Sequence, residues 1–591
     1  MKSHMNKLFV NLFLQNLFAT LLIAIIIWFF QKNYIFEDGL YEKYAIQFIN
    51  YQNLNVLELV KDAWFQSSSG YFPSIIRMGF IALILPVYII KYLFAIVLNM
   101  PAQTEWDFLN THIIYVSFGL VFFYQLMKKL FSSLKIGHFH WAFFGIFLGT
   151  NLLWFSVFES TTPEIIGAFY TAAILYYIAR TERNNNPSQL FFEGFLAGYC
   201  FSYRIQLLWV AIYFFITTFK NRTSKLNVSA FLVGLLSSIG LFILIKEVQN
   251  PGESFSTHGV YVKTSEFWYF APRSFFTALV GPNGYFTTQP IYLGIFFSLI
   301  YFLSKKRMRE ETLSLSIAIL FHFLLLSYHF TWPIFDGFIG RHNIIYAPLY
   351  MVAFGFLLDQ LSKTEKTFRI FIGLTVIFVV YHLLITQVYN YVELFNEYWK
   401  WTIQYHAFSK ETYTNLHKLI PFYFNSKNFS AFKTLLIDFF SVGLVLNLAI
   451  FFAKKFLKNY RQIFYFFNSL IFLTWFLVAI LNYRNSHFVI PHKNMVTFKP
   501  GSSCQFYDDL LDLQKRTSLF YLYRENCYAA DELKKVWSNY IKGCLPYIDD
   551  NSSFKRDLLL GKYKPSVLEA PTLDHEYQSQ LAKCSKETRV F

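Results

Sequence analysis

Charge is what this sequence has least of. Only 15% of its 591 residues are Asp, Glu, Lys or Arg, against 55% hydrophobic residues and a mean hydropathy of +0.35. Soluble domains carry about 25% charged residues, so the chain does not read as a soluble globular protein. Short alternating strands are absent, which removes a transmembrane barrel. No C-x-x-C pair occurs among the five cysteines, and a zinc site loses its usual ligand spacing. Gly-rich phosphate loops, H-E-x-x-H and G-x-S-x-G are missing, and with them the templates of soluble enzymes. No internal repeat is obvious in the motifs.

Long apolar windows take their place, from Leu8–Phe30 to Ile463–Leu481. Crossing the hydrocarbon core takes about 20 such residues. The composition predicts an all-α polytopic membrane protein. Lys2 and Lys7 precede a first run that is too long for a signal-peptide core, and no small-x-small site follows Phe30. Met1–Phe30 is therefore read as a retained helix.

The net charge of +16 comes from clusters between the apolar windows: Lys128, Lys129 and Lys135; Arg180 and Arg183; Lys220, Arg222 and Lys225; Lys305, Lys306, Arg307 and Arg309; Lys363, Lys366 and Arg369; Lys454, Lys455, Lys458 and Arg461. That is the positive-inside pattern, not a nucleic-acid groove. With the N-terminus cytoplasmic and every cluster inside, successive clusters are separated by an even number of spans. The expectation is about 13 spans of typical length. Parity allows zero or two spans in Ser74–Val97, where Pro86 breaks the apolar run between Arg77 and Lys91. An interfacial or re-entrant pair is expected there. Gln189–Phe219 must hold two short helices meeting near Tyr203 and Arg204.

Two units follow. Residues 1–481 form a transmembrane module, and residues 482–591 a small extracytoplasmic domain. The latter holds Cys504, Cys527, Cys544 and Cys584. On an oxidising side these suggest two disulfides in one of three connectivities; the alternative is four thiols in a cytoplasmic tail. Cys200 falls within a span and reads as packing.

The candidate chemistry lies on the external segments. In FEDGLYEKYA, Glu37 and Asp38 precede a stripe at Leu40, Tyr41, Tyr44, Ala45, Phe48 and Ile49 that suits an interfacial helix. Asp38 is a natural N-cap there, so the pair reads as a cap or as catalytic carboxylates. FESTTPEI holds Glu159 and Glu164; the latter also suits a helix first turn. Gly194 and Gly198 suit close helix packing. Arg204 is a lone cation where two short spans meet, and it either faces a cavity or snorkels to headgroups. His258 lies in a long aromatic loop that ends in GPNGYFTTQP. Arg341 begins a later span; an arginine there pairs with phosphate or anchors the helix to headgroups.

Taken in order, these elements resemble the GT-C glycosyltransferases, the polytopic class that uses polyprenyl-phosphate-linked sugars. The resemblance covers roughly residues 1–360. Glu37-Asp38 resembles the acidic motif of the family's first external loop, and Gly194 to Arg204 its GxxxG…R hairpin. GPNGYFTTQP resembles a GxxGLF…P loop, with Tyr285 where Leu is usual. FIGRHNIIYAP resembles the GxRY…P start of a later helix, with His342 replacing the aromatic.

The resemblance implies a GT-C-like bundle with interfacial helices in the first external loop, in a bacterial inner membrane. It implies inverting sugar transfer from the lipid phosphate to an acceptor at the extracytoplasmic face. Asp38 is then the general base, and Glu37 positions the acceptor or a metal. Arg341 and Arg204 neutralise the leaving phosphate, with His258 beside the donor. Glu159 and Glu164 are acceptor- or metal-related. Some members use a divalent metal, Mg or Mn, but no clear D-x-D occurs here and none is assigned. The implied partners are membrane lipid, the lipid-linked sugar and an unidentified glycan, lipid or protein acceptor. Two alternatives stand beside this reading: a transporter or lipid flippase, and a non-catalytic assembly subunit.

Overall fold

A chain that enters a membrane must satisfy its backbone polar groups internally, and this one does so with helices. The computed structural model describes residues 2–30, 78–97, 105–158, 160, 163–180, 186–203, 205–220, 225–249, 279–280, 285–304, 316–318, 341–395, 416–419, 421, 429–457 and 459–486, and none of these is in a strand. In chain order come α1 (Lys2–Phe30), α2 (Met78–Val97), α3 (Glu105–Leu134), α4 (Phe139–Gly149), α5 (Leu152–Val157), α6 (Pro163–Arg180) and α7 (Pro187–Tyr203). A 3-10 turn at Ile205–Leu207 leads to α8 (Leu208–Lys220) and α9 (Lys225–Gln249). One helical turn at Tyr285–Thr288 precedes α10 (Ile291–Ser304), and a 3-10 turn at Arg341–Tyr346 leads into α11 (Ala347–Leu361). The rest are α12 (Glu365–Phe395), α13 (Phe429–Asp438), a π-helical turn at Phe439–Gly443, α14 (Leu444–Phe456) and α15 (Tyr460–Ser486).

Among the described residues, five helical segments are long and apolar enough to cross a membrane: Asn11–Phe30, Asn110–Leu134, Asn343–Leu361, Glu365–Val388 and Phe432–Lys454. Shorter apolar helices include Leu83–Phe94, Leu208–Phe219 and Lys225–Leu241. The apolar window at 142–158 is interrupted at Thr150, whose backbone is extended, so α4 and α5 are separate helices.

Side-chain pairings set the helix directions. Asn16 of α1 accepts from Gln125 of α3, while Phe30 packs on Phe158 and Trp28 on Phe432. Phe13, near the other end of α1, packs on Phe451. Helix α1 is therefore antiparallel to α3 and to α13–α14. Gly137, just after α3, donates its backbone N–H to Asp359 at the end of α11 (2.9 Å), and His138 packs on Phe368 at the start of α12. Arg461, at the start of α15, donates to Gln189 at the start of α7 (2.6 Å). Lys129, Arg180, Lys454 and Arg461 share this end of the bundle.

The expected hairpin at 189–219 is present: α7 and α8 meet across the 3-10 turn just after position 204. The small residues act as expected too. A Cβ on Gly194 would overlap the carbonyl oxygen of Phe231 on α9, one on Gly234 would overlap that of Phe191 on α7, and one on Gly198 would lie 2.7 Å from Ser238 Cβ. Gly194→Ala and Gly234→Ala are each expected to destabilise the protein by about 1–3 kcal/mol through overpacking. Gly240→Ala, whose new methyl meets nothing within 4 Å, is the control. Unfolding in detergent micelles measures all three.

One expectation is overturned. Pro86 does not break Ser74–Val97: α2 is continuous across it. Leu83, Ile84, Tyr88 and Lys91 of this continuous helix are buried within the bundle. Tyr115 of α3 donates to the carbonyl of Leu83 (3.2 Å), in the turn just before the proline. A neighbouring helix thus adds a donor one residue from the carbonyl of Ala82, the one that Pro86 leaves without its i−4 partner.

Candidate functional site

Two polar constellations occupy the end of the bundle opposite the basic clusters. The first is built where α2, α3 and α13 meet. Asp438 is the last residue of α13, and the π-helical turn begins immediately after it. Single π-turns inside helices are frequent at functional sites. The Asp438 carboxylate is fully buried, pairs with the Lys91 ammonium and accepts from the Thr111 hydroxyl at 3.0 Å. Asn110 donates to Thr434 at 2.8 Å, tying the same two helices one turn away. The next residue, His112, is also fully buried. Its Nε2 lies 2.9 Å from the carbonyl oxygen of Ser160 and its Nδ1 lies 3.2 Å from the Tyr88 hydroxyl. A carbonyl only accepts, so Nε2 carries the hydrogen and Nδ1 accepts from Tyr88.

Ser160 leads to the second constellation. Glu164, four residues on, is buried in the first turn of α6. One turn later, Gly167 lets Ile345 and Tyr203 approach: a Cβ there would meet them at 3.0 and 3.1 Å. Tyr346 donates to the backbone carbonyl of Gln206 at 2.8 Å. The side chain of Gln206 is itself buried, and its Oε1 meets no donor among the described residues. The first turn of α6, the 3-10 turn after position 204 and the 3-10 turn opened by Arg341 are therefore packed together. Tyr346→Phe is expected to cost about 1–3 kcal/mol by leaving that carbonyl unmatched in a buried place. Thermal unfolding beside the wild type measures it.

The described half of GPNGYFTTQP is a clamp. Gln289 accepts from the backbone N–H of Asn151 at 3.0 Å, in the break between α4 and α5. Thr288 O lies 3.0 Å from His382 Nδ1 on α12. Tyr285, Tyr292 and Tyr350 pack in sequence, with ring centroids 5.3 and 5.5 Å apart.

Of the residues singled out by sequence, Glu164 is described with its side chain, and Arg341 by its backbone at the start of its turn. Glu37, Asp38, Glu159, Arg204, His258, Cys504, Cys527, Cys544 and Cys584 lie outside the described residues. Among the described residues no group of three or more His, Cys, Asp or Glu could hold a metal ion. The residues that sequence reading missed are Lys91, Thr111, His112 and Tyr88. Their signal was present: Lys91 and Asp438 are opposite charges isolated in strongly apolar windows, and such charges seek each other.

No protein-family model, curated protein or solved structure matches this chain.

Proposed function

We propose that this protein is a GT-C-type integral membrane glycosyltransferase, moving a sugar from a polyprenyl-phosphate donor to an acceptor at the extracytoplasmic face. One observation carries the reading. Turns adjoining two arginines of the motif set, at 204 and 341, pack against the helix start that holds Glu164. These are three of the elements such an enzyme needs at one site, drawn from widely separated parts of the chain. The geometry also agrees with the sidedness: α6 carries Glu164 in its first turn and reaches the basic end at Arg180, about 25 Å away at 1.5 Å per residue. With the basic end cytoplasmic, the cluster faces outward. The reading includes the bundle of about 13 spans, the inner-membrane location and the cysteine-bearing external domain of residues 482–591.

In this mechanism the acceptor hydroxyl attacks the anomeric carbon as the lipid phosphate leaves. Asp38 takes the hydroxyl proton, and the arginines stabilise the phosphate charge as it develops. The test is sugar release from polyprenyl-phosphate sugar by the purified full chain and by Asp38→Asn. Release that Asp38→Asn leaves unchanged removes Asp38 from the mechanism. Absence of release from every lipid-linked sugar tried rejects the reading.

The Lys91–Asp438 pair favours a second reading, a transporter or flippase. Ionisable groups buried among spans commonly mark transport pathways. Movement of lipid or solute without covalent change would identify it.

A further inference from the structure

The basic end of the bundle holds a cavity that sugar transfer does not use. It measures about 640 Å³ and opens between α3, α6, α14 and α15. Four cations line it, each from a different helix: Lys129, Arg180, Lys454 and Arg461. None of its described lining residues is acidic. Scattered positive-inside lysines would spread into water; these converge on one concave space.

Arg461 is held in place rather than left to roam. Its Nε donates to the Tyr465 hydroxyl at 3.0 Å, its Nη2 donates to Gln189, and its guanidinium lies 5.3 Å from the Tyr465 ring centre. Gln189 is buried and donates in turn to Glu193 at 2.9 Å, so the carboxylate of this network is one residue removed from the arginine. Tyr465 and Gln189 are neutral, and the arginine's charge stays directed at the cavity. A fixed guanidinium beside two mobile ammoniums suits a phosphate.

The cavity also has an apolar continuation. A shallow groove of about 30 Å³ shares Phe122, Gln125, Ile450 and Lys454 with it and runs on between α1, α3 and α14 along Leu12, Phe13, Phe118, Val121 and Phe451, with Asn16 and Asn447 also in its lining. A cationic pocket that opens into an apolar groove matches an amphiphile with an anionic head. We infer that this site binds an anionic phospholipid of the leaflet at the basic end. The headgroup phosphate sits among Lys129, Arg180, Lys454 and Arg461, and an acyl chain passes along the mouth of the groove on the lipid side. Basic pockets between transmembrane helices on the cytoplasmic side recognise lipids in this way. The inference does not depend on the transferase reading.

The experiment uses the purified full chain. Native mass spectrometry counts lipids retained from nanodiscs of phosphatidylglycerol mixed with phosphatidylcholine, and thermal unfolding is followed with added phosphatidylglycerol or inorganic phosphate. The wild type is expected to retain phosphatidylglycerol selectively and to be stabilised by it more than by inorganic phosphate. Lys129→Gln/Lys454→Gln is expected to weaken that retention about thirtyfold, at about a factor of five for each lysine lost. Lys128→Gln, an exposed neighbour outside the lining, should behave as wild type. Undiminished retention in the double variant overturns the inference. So does an equal loss in Lys128→Gln, which would mean diffuse surface attraction. Stabilisation by inorganic phosphate alone, without lipid selectivity, would make the ligand a soluble phosphate and also overturn it.

Discussion

Asp438→Asn is expected to destabilise the protein by about 3–5 kcal/mol, the usual cost of breaking a buried ion pair from one side. The substitution leaves the Lys91 ammonium fully enclosed without its counter-charge. It also replaces a charge-assisted bond from Thr111 with a weaker one. Lys91→Met should cost a similar amount, because it takes the counter-charge from the buried carboxylate instead. The combined variant Lys91→Met/Asp438→Leu removes both charges and is expected to recover most of the loss. Unfolding of these proteins in detergent micelles, with the single Asp438→Leu completing the cycle, measures the coupling. A combined variant as unstable as the sum of the two single ones would mean that the pair is not the unit that matters. The same variant separates the two functional readings. If the pair only fastens α2 and α3 to α13, the recovered protein keeps sugar transfer. If the pair is part of a transport pathway, the recovered protein is folded and inert.

That pair marks the limit of what could be read in advance. The basic clusters, the α7–α8 hairpin and the α7–α9 contact at Gly194 and Gly198 are local signals. Charge bias, window length and a small-residue spacing are each contained in a short stretch, and each has one simple physical consequence. Lys91 and Asp438 stand 347 positions apart. Nothing in either neighbourhood names the other, although each is anomalous in its own apolar window. Pro86 misled for a related reason. Its local effect is to remove a backbone donor, but a hydroxyl from α3 enters the same stretch of helix, and no local rule records that. Glu164 was legible as a candidate because an acid in a helix first turn is conspicuous. Its neighbours Gln206 and Tyr346 were not, since their roles depend on helix packing that the pattern of apolar residues leaves open.

The largest effect on function is expected at Asp38. A positioned general base contributes roughly 10²–10⁴-fold to a rate, so Asp38→Asn should lower sugar transfer by that range while leaving the protein folded. Asparagine is close in size and still caps a helix well, and this separates the two readings of the acidic pair. If Asp38 serves only as a cap, the variant keeps both its stability and its rate. If Asp38 is the base, the rate falls and the unfolding temperature does not move. Glu37→Gln beside it decides which acid takes the proton. The base loses activity across all acceptor concentrations, whereas an acceptor-positioning acid mainly raises KM. Glu164→Gln adds a third arm. A buried carboxylate at the start of α6 that supports the site from behind should change stability and rate together, in contrast to the rate-only loss expected of Asp38.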